Sequence, residues 1–113
     1  MDAILNVYEG CESTEPIKTF TCKRMTFKAA NDFEELANQV NALNSEREEK
    51  GTSKERRKEI DEEIVNLQVE IIQLFFPSFT KEDFYGVDFY EYQNFCMAVG
   101  QMRGKVFERA QKN

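Results

Sequence analysis

A chain of 113 residues with 32% charged and 41% hydrophobic positions has the balance of one small folded domain, with room for a single modest core. Its net charge of −6 argues against nucleic acid as a partner, because neutralising phosphate needs a basic surface. Histidine, the usual general base at neutral pH, is missing, and no phosphate loop, dinucleotide fingerprint or nucleophile elbow occurs, so a non-enzyme without cofactor or metal is expected.

The three cysteines, Cys11, Cys22 and Cys96, are scattered and form no close pair, which favours reduced thiols over disulfides or a zinc site. The start, Met1-Asp-Ala-Ile-Leu5, lacks the basic residues and long apolar run of a signal peptide. The apolar runs are too short to span a bilayer, so no membrane partner is expected either.

In chain order, Ala3 to Tyr8 and Ile17 to Met25 read as two strands around a loop, Glu9 to Pro16, marked by Gly, Ser and Pro. In the second strand Phe20 and Cys22 share one face, with Thr19, Thr21 and Lys23 on the other. An isolated hairpin is marginal in water, so this one (residues 1–26) must pack on a helix or extend a partner's sheet.

From Phe27 the period becomes helical. Phe33, Leu36, Ala37, Val40 and Leu43 form one stripe of a first helix, residues 27–50, capped either by Thr26 or by an Asp32/Glu35 box. Between Glu46 and Glu63, 14 of 18 residues are charged, which reads as the solvated tip of a helical hairpin. Gly51 breaks the run, and Thr52 with Glu55 suggests a capping box for a restart near Ser53. Arg57 with Asp61, or Lys58 with Glu62, has the spacing for ion pairs along the second helix.

The second helix, residues 53–76, carries two adjoining apolar stripes. Ile60, Ile64, Leu67, Ile71, Leu74 and Phe75 make the first, read as core. Val65, Val69, Ile72 and Phe76 make the other, a candidate face for a partner or for another copy of the chain. Two stripes require the helix to be sandwiched, within one chain or in an assembly. Pro77 ends it.

Thr80 and Asp83 then cap a short helix, residues 81–85, with Gly86 supplying a positive φ at its end. Asp88 caps a last helix, residues 88–110, in which Phe89, Tyr92, Cys96, Val99, Met102 and Val106 share a face and Phe95 lies beside it. Gly100 and Gly104 are spaced for a close helix approach, and residues 101–113 are locally basic, which suits the helix dipole or an acidic partner. The whole is expected to be a single mainly helical α+β domain, residues 1–113.

Nine of the fourteen Phe and Tyr residues lie between Phe75 and Phe95. The segment Leu74-Phe-Phe-Pro-Ser-Phe-Thr-Lys-Glu-Asp-Phe-Tyr-Gly-Val-Asp-Phe-Tyr-Glu-Tyr92 resembles the corresponding part of tail assembly chaperones of long-tailed bacteriophages of Gram-positive hosts. The likeness in layout extends over about residues 17–110, with the Glu9–Pro16 loop and the charged tip departing from it. The resemblance implies a non-enzymatic protein of the host cytoplasm, absent from the mature virion. It would bind the tape measure protein, keep that long helical chain soluble and help recruit tail tube protein. Helix-in-groove binding would suit such a client.

Two sets of residues are candidates for partner contact: the stripe Val65, Val69, Ile72 and Phe76, and the aromatics Phe79, Phe84, Tyr85, Tyr90 and Tyr92. A small acidic regulator, such as an antitoxin-like inhibitor or DNA mimic, and a structural tail adaptor are the alternatives.

Overall fold

Alternation in the first strand and side-chain caps ahead of each helix set the element order. The computed structural model describes the backbone of residues 3–112 and the side chains of residues 3–105. The elements are β1 (Ala3–Val7), β2 (Lys18–Cys22), α1 (Phe27–Glu48), α2 (Lys54–Gln73), α3 (Lys81–Phe84) and α4 (Phe89–Lys112). This is the mainly helical α+β fold with an N-terminal hairpin that the sequence predicts.

β1 and β2 pair antiparallel, with Leu5 opposite Phe20 and Val7 opposite Lys18. Ala3, Leu5 and Val7 point into the core, while Ile4 between them is half exposed. Thr26, not Asp32, caps α1, its hydroxyl accepting from the Ala29 amide; Asp32 pairs with Lys28 instead. Ser53, rather than Thr52, caps α2 by accepting from the Arg56 amide. The Thr52 hydroxyl reaches back to the Glu46 carbonyl at 2.8 Å, and Gly51, at φ 93°, makes the turn between α1 and α2.

α2 ends at Gln73, short of the predicted Phe76. The Phe75 and Phe76 amides both donate to the Ile72 carbonyl, so the helix tightens into a turn before Pro77. Thr80 and Asp83 form the expected reciprocal capping box of α3. Asp88 accepts from the amides of Tyr90 and Glu91 at the start of α4.

The core lies where the hairpin meets α2 and α4. Leu5, Val7, Cys22, Val69, Ile72, Phe76, Phe79, Phe95 and Val99 are all buried in one cluster with Ala3. Phe76 touches Phe20 at 5.2 Å and Phe95 at 5.7 Å between ring centroids; Phe79 closes on Phe20 at 5.4 Å. Phe75 bridges from Phe95 to Phe33 of α1. Such ring pairs add roughly 0.5–1.5 kcal/mol beyond their burial.

This packing corrects the partner-face assignment on α2. Val69, Ile72 and Phe76 are core, not surface, and Val65 is half-buried. Ile60 and Ile71, from the stripe expected to be core, are also buried, on the side that α1 covers. Ile64, Leu67, Leu74 and Phe75 are half-buried. α2 is therefore sandwiched inside one chain.

α1 and α2 run antiparallel, joined by the turn at Gly51. The Cα radius of gyration is 15.6 Å, against about 13 Å for a compact chain of this length. Ala30 is the one fully buried residue described in α1; Leu36, Ala37, Val40 and Leu43 are half-buried. The charged tip is cross-linked between the helices as well as along α2, where Arg56 also pairs with Glu59 and Glu63. Arg56 grips Glu46 at 2.6 and 2.9 Å, and Asp61 pairs with Arg47 rather than Arg57. The Arg56 fork holds the Glu46 carboxyl below its ordinary range.

Ile72→Ala should destabilise the fold by about 2–5 kcal/mol, through lost burial and the cavity left behind. Val65→Ala, at a half-buried site on the same stripe, should cost about 1 kcal/mol or less. Urea unfolding of the two variants measures both. Equal losses would contradict the placement of Ile72 in the core.

Candidate functional site

The end of β1 is seamed to the α3–α4 connection. The Tyr8 amide donates to the Gly86 carbonyl at 2.7 Å, and Val7 bridges Val87. Gly86 does not have the positive φ expected of it. Glycine is needed there for close approach: a Cβ would stand 2.5 Å from the Tyr8 carbonyl oxygen and 2.7 Å from a Val7 methyl.

Two side-chain clamps flank the seam. Lys18 of β2 pairs with the buried Asp83 of α3 at 2.9 Å. Burial alone would raise the Asp83 carboxyl, but the Lys18 ammonium and the Thr80 hydrogen bonds outweigh it and hold the group below its ordinary range. On the other side Glu91 Oε1 accepts from Asn6 Nδ2 at 2.8 Å and from the Tyr8 hydroxyl at 3.2 Å. Burial, the Glu91 bond and the charges of Glu91 and Asp88 push the Tyr8 phenol above its ordinary value.

The seam fixes the backbone from which three aromatic rings point outward. Tyr85 and Tyr90 are each 72% exposed and Phe89 is 67% exposed. Phe89 and Tyr90 lie edge to face at 5.7 Å, and Tyr85 stands against Phe84 at 6.3 Å. A small domain gains nothing in its own stability from three large exposed rings on six consecutive residues, and such patches mark interaction surfaces.

Beside the rings a cleft of about 500 Å³ opens between the β1–β2 loop and the start of α4. Tyr8, Glu9, Cys11, Ser13 and Thr14 line one side, and Tyr85, Gly86, Val87, Asp88 and Glu91 the other.

The predicted contact residues thus divide. Val69, Ile72, Phe76 and Phe79 are core. Phe84 and Tyr92 are half-buried and touch each other at 5.9 Å, with the Tyr92 phenol pushed up by burial and by Cys96 beside it. Tyr85 and Tyr90 remain on the surface. Phe89, expected on the buried face of α4, is exposed. The buried line runs through Tyr92, Phe95, Val99 and Met102, and Phe89 sits about 120° round the helix from Phe95. Centring the period on Phe95 and Val99 would have exposed this in the sequence. Val106 lies outside the described side chains.

Around Gly100 and Gly104 there is open space rather than a closely packed helix. None of the three cysteines is in a disulfide among the described residues. Among the described residues no cluster of acidic or cysteine side chains is arranged to hold a metal, and no helix is long and apolar enough to cross a membrane. No family model matches the chain, nor does any curated protein or solved structure.

Gly86→Ala should force the hairpin away from the α3–α4 connection and destabilise the protein by more than about 2 kcal/mol, because backbone rather than a flexible side chain stands in the way. Gly100→Ala, in an open helix interior, should stabilise it by about 0.5–1 kcal/mol. Thermal unfolding of the pair gives opposite signs if the seam is as described.

Proposed function

We propose that this chain is a tail assembly chaperone of a long-tailed bacteriophage, acting in the host cytoplasm on the tape measure protein. In this role it keeps the client soluble and helps recruit tail tube protein. The reading rests on the resemblance of Leu74–Tyr92 together with one structural observation: Tyr85, Phe89 and Tyr90, all within that segment, stand exposed on a backbone locked to the core. A holdase needs apolar anchors that are presented without unfolding itself, and rigid aromatic rings meet that need at low entropic cost. The client surface is accordingly this aromatic ridge. The α2 stripe Val65, Val69, Ile72 and Phe76 is not part of it.

Co-expression with the tape measure protein encoded beside it tests the reading. The wild-type chain should recover the client in the soluble fraction and co-purify with it. Tyr85→Ala combined with Tyr90→Ala should lower capture at least tenfold while leaving the circular dichroism spectrum and Tm unchanged. A client that stays insoluble and fails to co-purify with the wild-type chain sinks the chaperone assignment. Undiminished capture by the double variant removes the ridge from it.

A further inference from the structure

We propose that the outer face of α4 pairs two copies of this chain in an antiparallel, two-fold dimer with Met97 on the axis. The inference rests on that face alone and stands whichever client the chain serves.

Every exposed residue of α4 from position 89 to 104 is uncharged, in a chain where 32% of residues carry charge. The two charges of this stretch, Glu91 and Arg103, are half-buried and turned off the face, Glu91 toward Asn6 and Tyr8, Arg103 toward Ala30 and Glu34. The exposed positions of α2, by contrast, are mostly Lys, Arg, Asp and Glu, as suits a solvated helix face. Phe89 and Tyr90 stand out from the uncharged face of α4, and so does Met97, which is 63% exposed. A chain of net charge −6 repels its own copies, so two of them meet most readily where neither presents a charge.

The order of residues along this face fits it to itself. Tyr90, Met97 and Gly104 are seven apart, and each such step drifts by only about 20° round the helix. The face thus carries rings at its start and, at Gly104, a place where a Cβ would meet nothing within 4 Å. A two-fold axis through Met97 sets the Tyr90 ring of each copy over the other copy's Gly104, with Phe89 beside it. Both open places are filled at once, as in an isologous contact. Gln93 and Gln101, four residues to either side of Met97, are likewise brought level, and their amides both donate and accept. Parallel pairing would set ring against ring and leave both glycine places empty. A foreign helix would cover the same apolar residues, but only a second copy returns a ring to each glycine.

The area is sufficient for a reversible dimer. Side chains such as Phe and Tyr carry about 150–250 Å² each, and two-thirds or more of Phe89 and of Tyr90 is open. Two rings and Met97 from each copy, with the glutamines beside them, cover about 1,000 Å², the lower bound for a specific interface. Phe89 and Tyr90 belong also to the aromatic ridge, so a second copy and a client exclude one another there, whereas Tyr85 lies outside this face.

Sedimentation velocity of the full chain, from about 10 µM to about 1 mM, tests the proposal in the range where so small an interface is reversible. The wild type should pass from monomer to dimer and stop there, because an isologous contact closes on itself. Met97→Lys, at an exposed site, should stay monomeric throughout while its Tm in dilute solution is unchanged. Gly104→Leu separates this packing from general stickiness. It removes a glycine from a helix interior, so the dilute Tm should rise; it also fills the place that the ring enters, so the dimer should weaken at least fivefold although the face is more apolar. A wild type that is monomeric at the highest concentration overturns the proposal, as does Met97→Lys dimerising like the wild type. Gly104→Leu associating as strongly as the wild type, or more so, overturns it too, and so do wild-type species larger than a dimer.

Discussion

The rest of the structure depends on α2 having both of its apolar sides covered within one chain. α1 lies along the side that carries Ile60 and Ile71, and the hairpin with α4 covers the side that carries Val69, Ile72 and Phe76. Fully burying one such side chain contributes about 1.5–3 kcal/mol, so neither side is dispensable in a domain whose net stability is only about 5–15 kcal/mol. The two-stranded hairpin, too small to stand alone, is stable here because Leu5, Val7, Phe20 and Cys22 have that surface to pack on. In turn the hairpin holds the α3–α4 connection through the Tyr8–Gly86 and Val7–Val87 contacts and the Lys18–Asp83 pair.

The aromatic segment is divided by this arrangement. Phe76, Phe79 and Phe95 are buried, Phe75, Phe84 and Tyr92 are packed against them from the margins, and Tyr85, Phe89 and Tyr90 face outward. Rings that build the core thus position rings that do not, over a span of a few residues. Core and presented surface are one continuous stretch of chain, and a change at Gly86 or Lys18 would reach the surface through the hairpin.

Much of this fold was legible in the sequence wherever a local rule decides. Thr80 and Asp88 mark helix starts because each offers a side-chain oxygen to otherwise unpaired amides, and Thr26 was one of two caps offered for α1; at α2 the pattern pointed to Thr52, one residue before the actual cap, Ser53. The shared facing of Phe20 and Cys22 marks the hairpin's inner side. Tertiary choices were less legible. Two stripes on α2 read alike when each has a neighbour, and periodicity does not say whether that neighbour is the same chain. Phe89 follows the same apolar spacing as Tyr92 and Cys96, but the buried line of α4 is centred on Phe95 and Val99, about 120° round the helix from it. Charge spacing suggested pairs along α2, whereas the turn at Gly51 brings Arg47 and Glu46 opposite Asp61 and Arg56. The carboxylate-lined cleft joins Glu9 to Glu91, and no local pattern announces a meeting of residues so far apart in the chain.

Under the proposed chaperone role, the long, half-buried α1–α2 hairpin and the short aromatic ridge are two surfaces that compete for a helical client. We propose the ridge as the client's surface, because its rings are exposed while the apolar residues of the α1–α2 hairpin largely cover one another. Hydrogen exchange of the chain alone and in complex with the tape measure protein separates the two most directly. The account predicts that added protection falls on residues 85–91 and the neighbouring loop 8–14, with the amides of α1 and of residues 65–76 unchanged. Protection concentrated along α1 and α2, with residues 85–91 still exchanging as in the free chain, would contradict it.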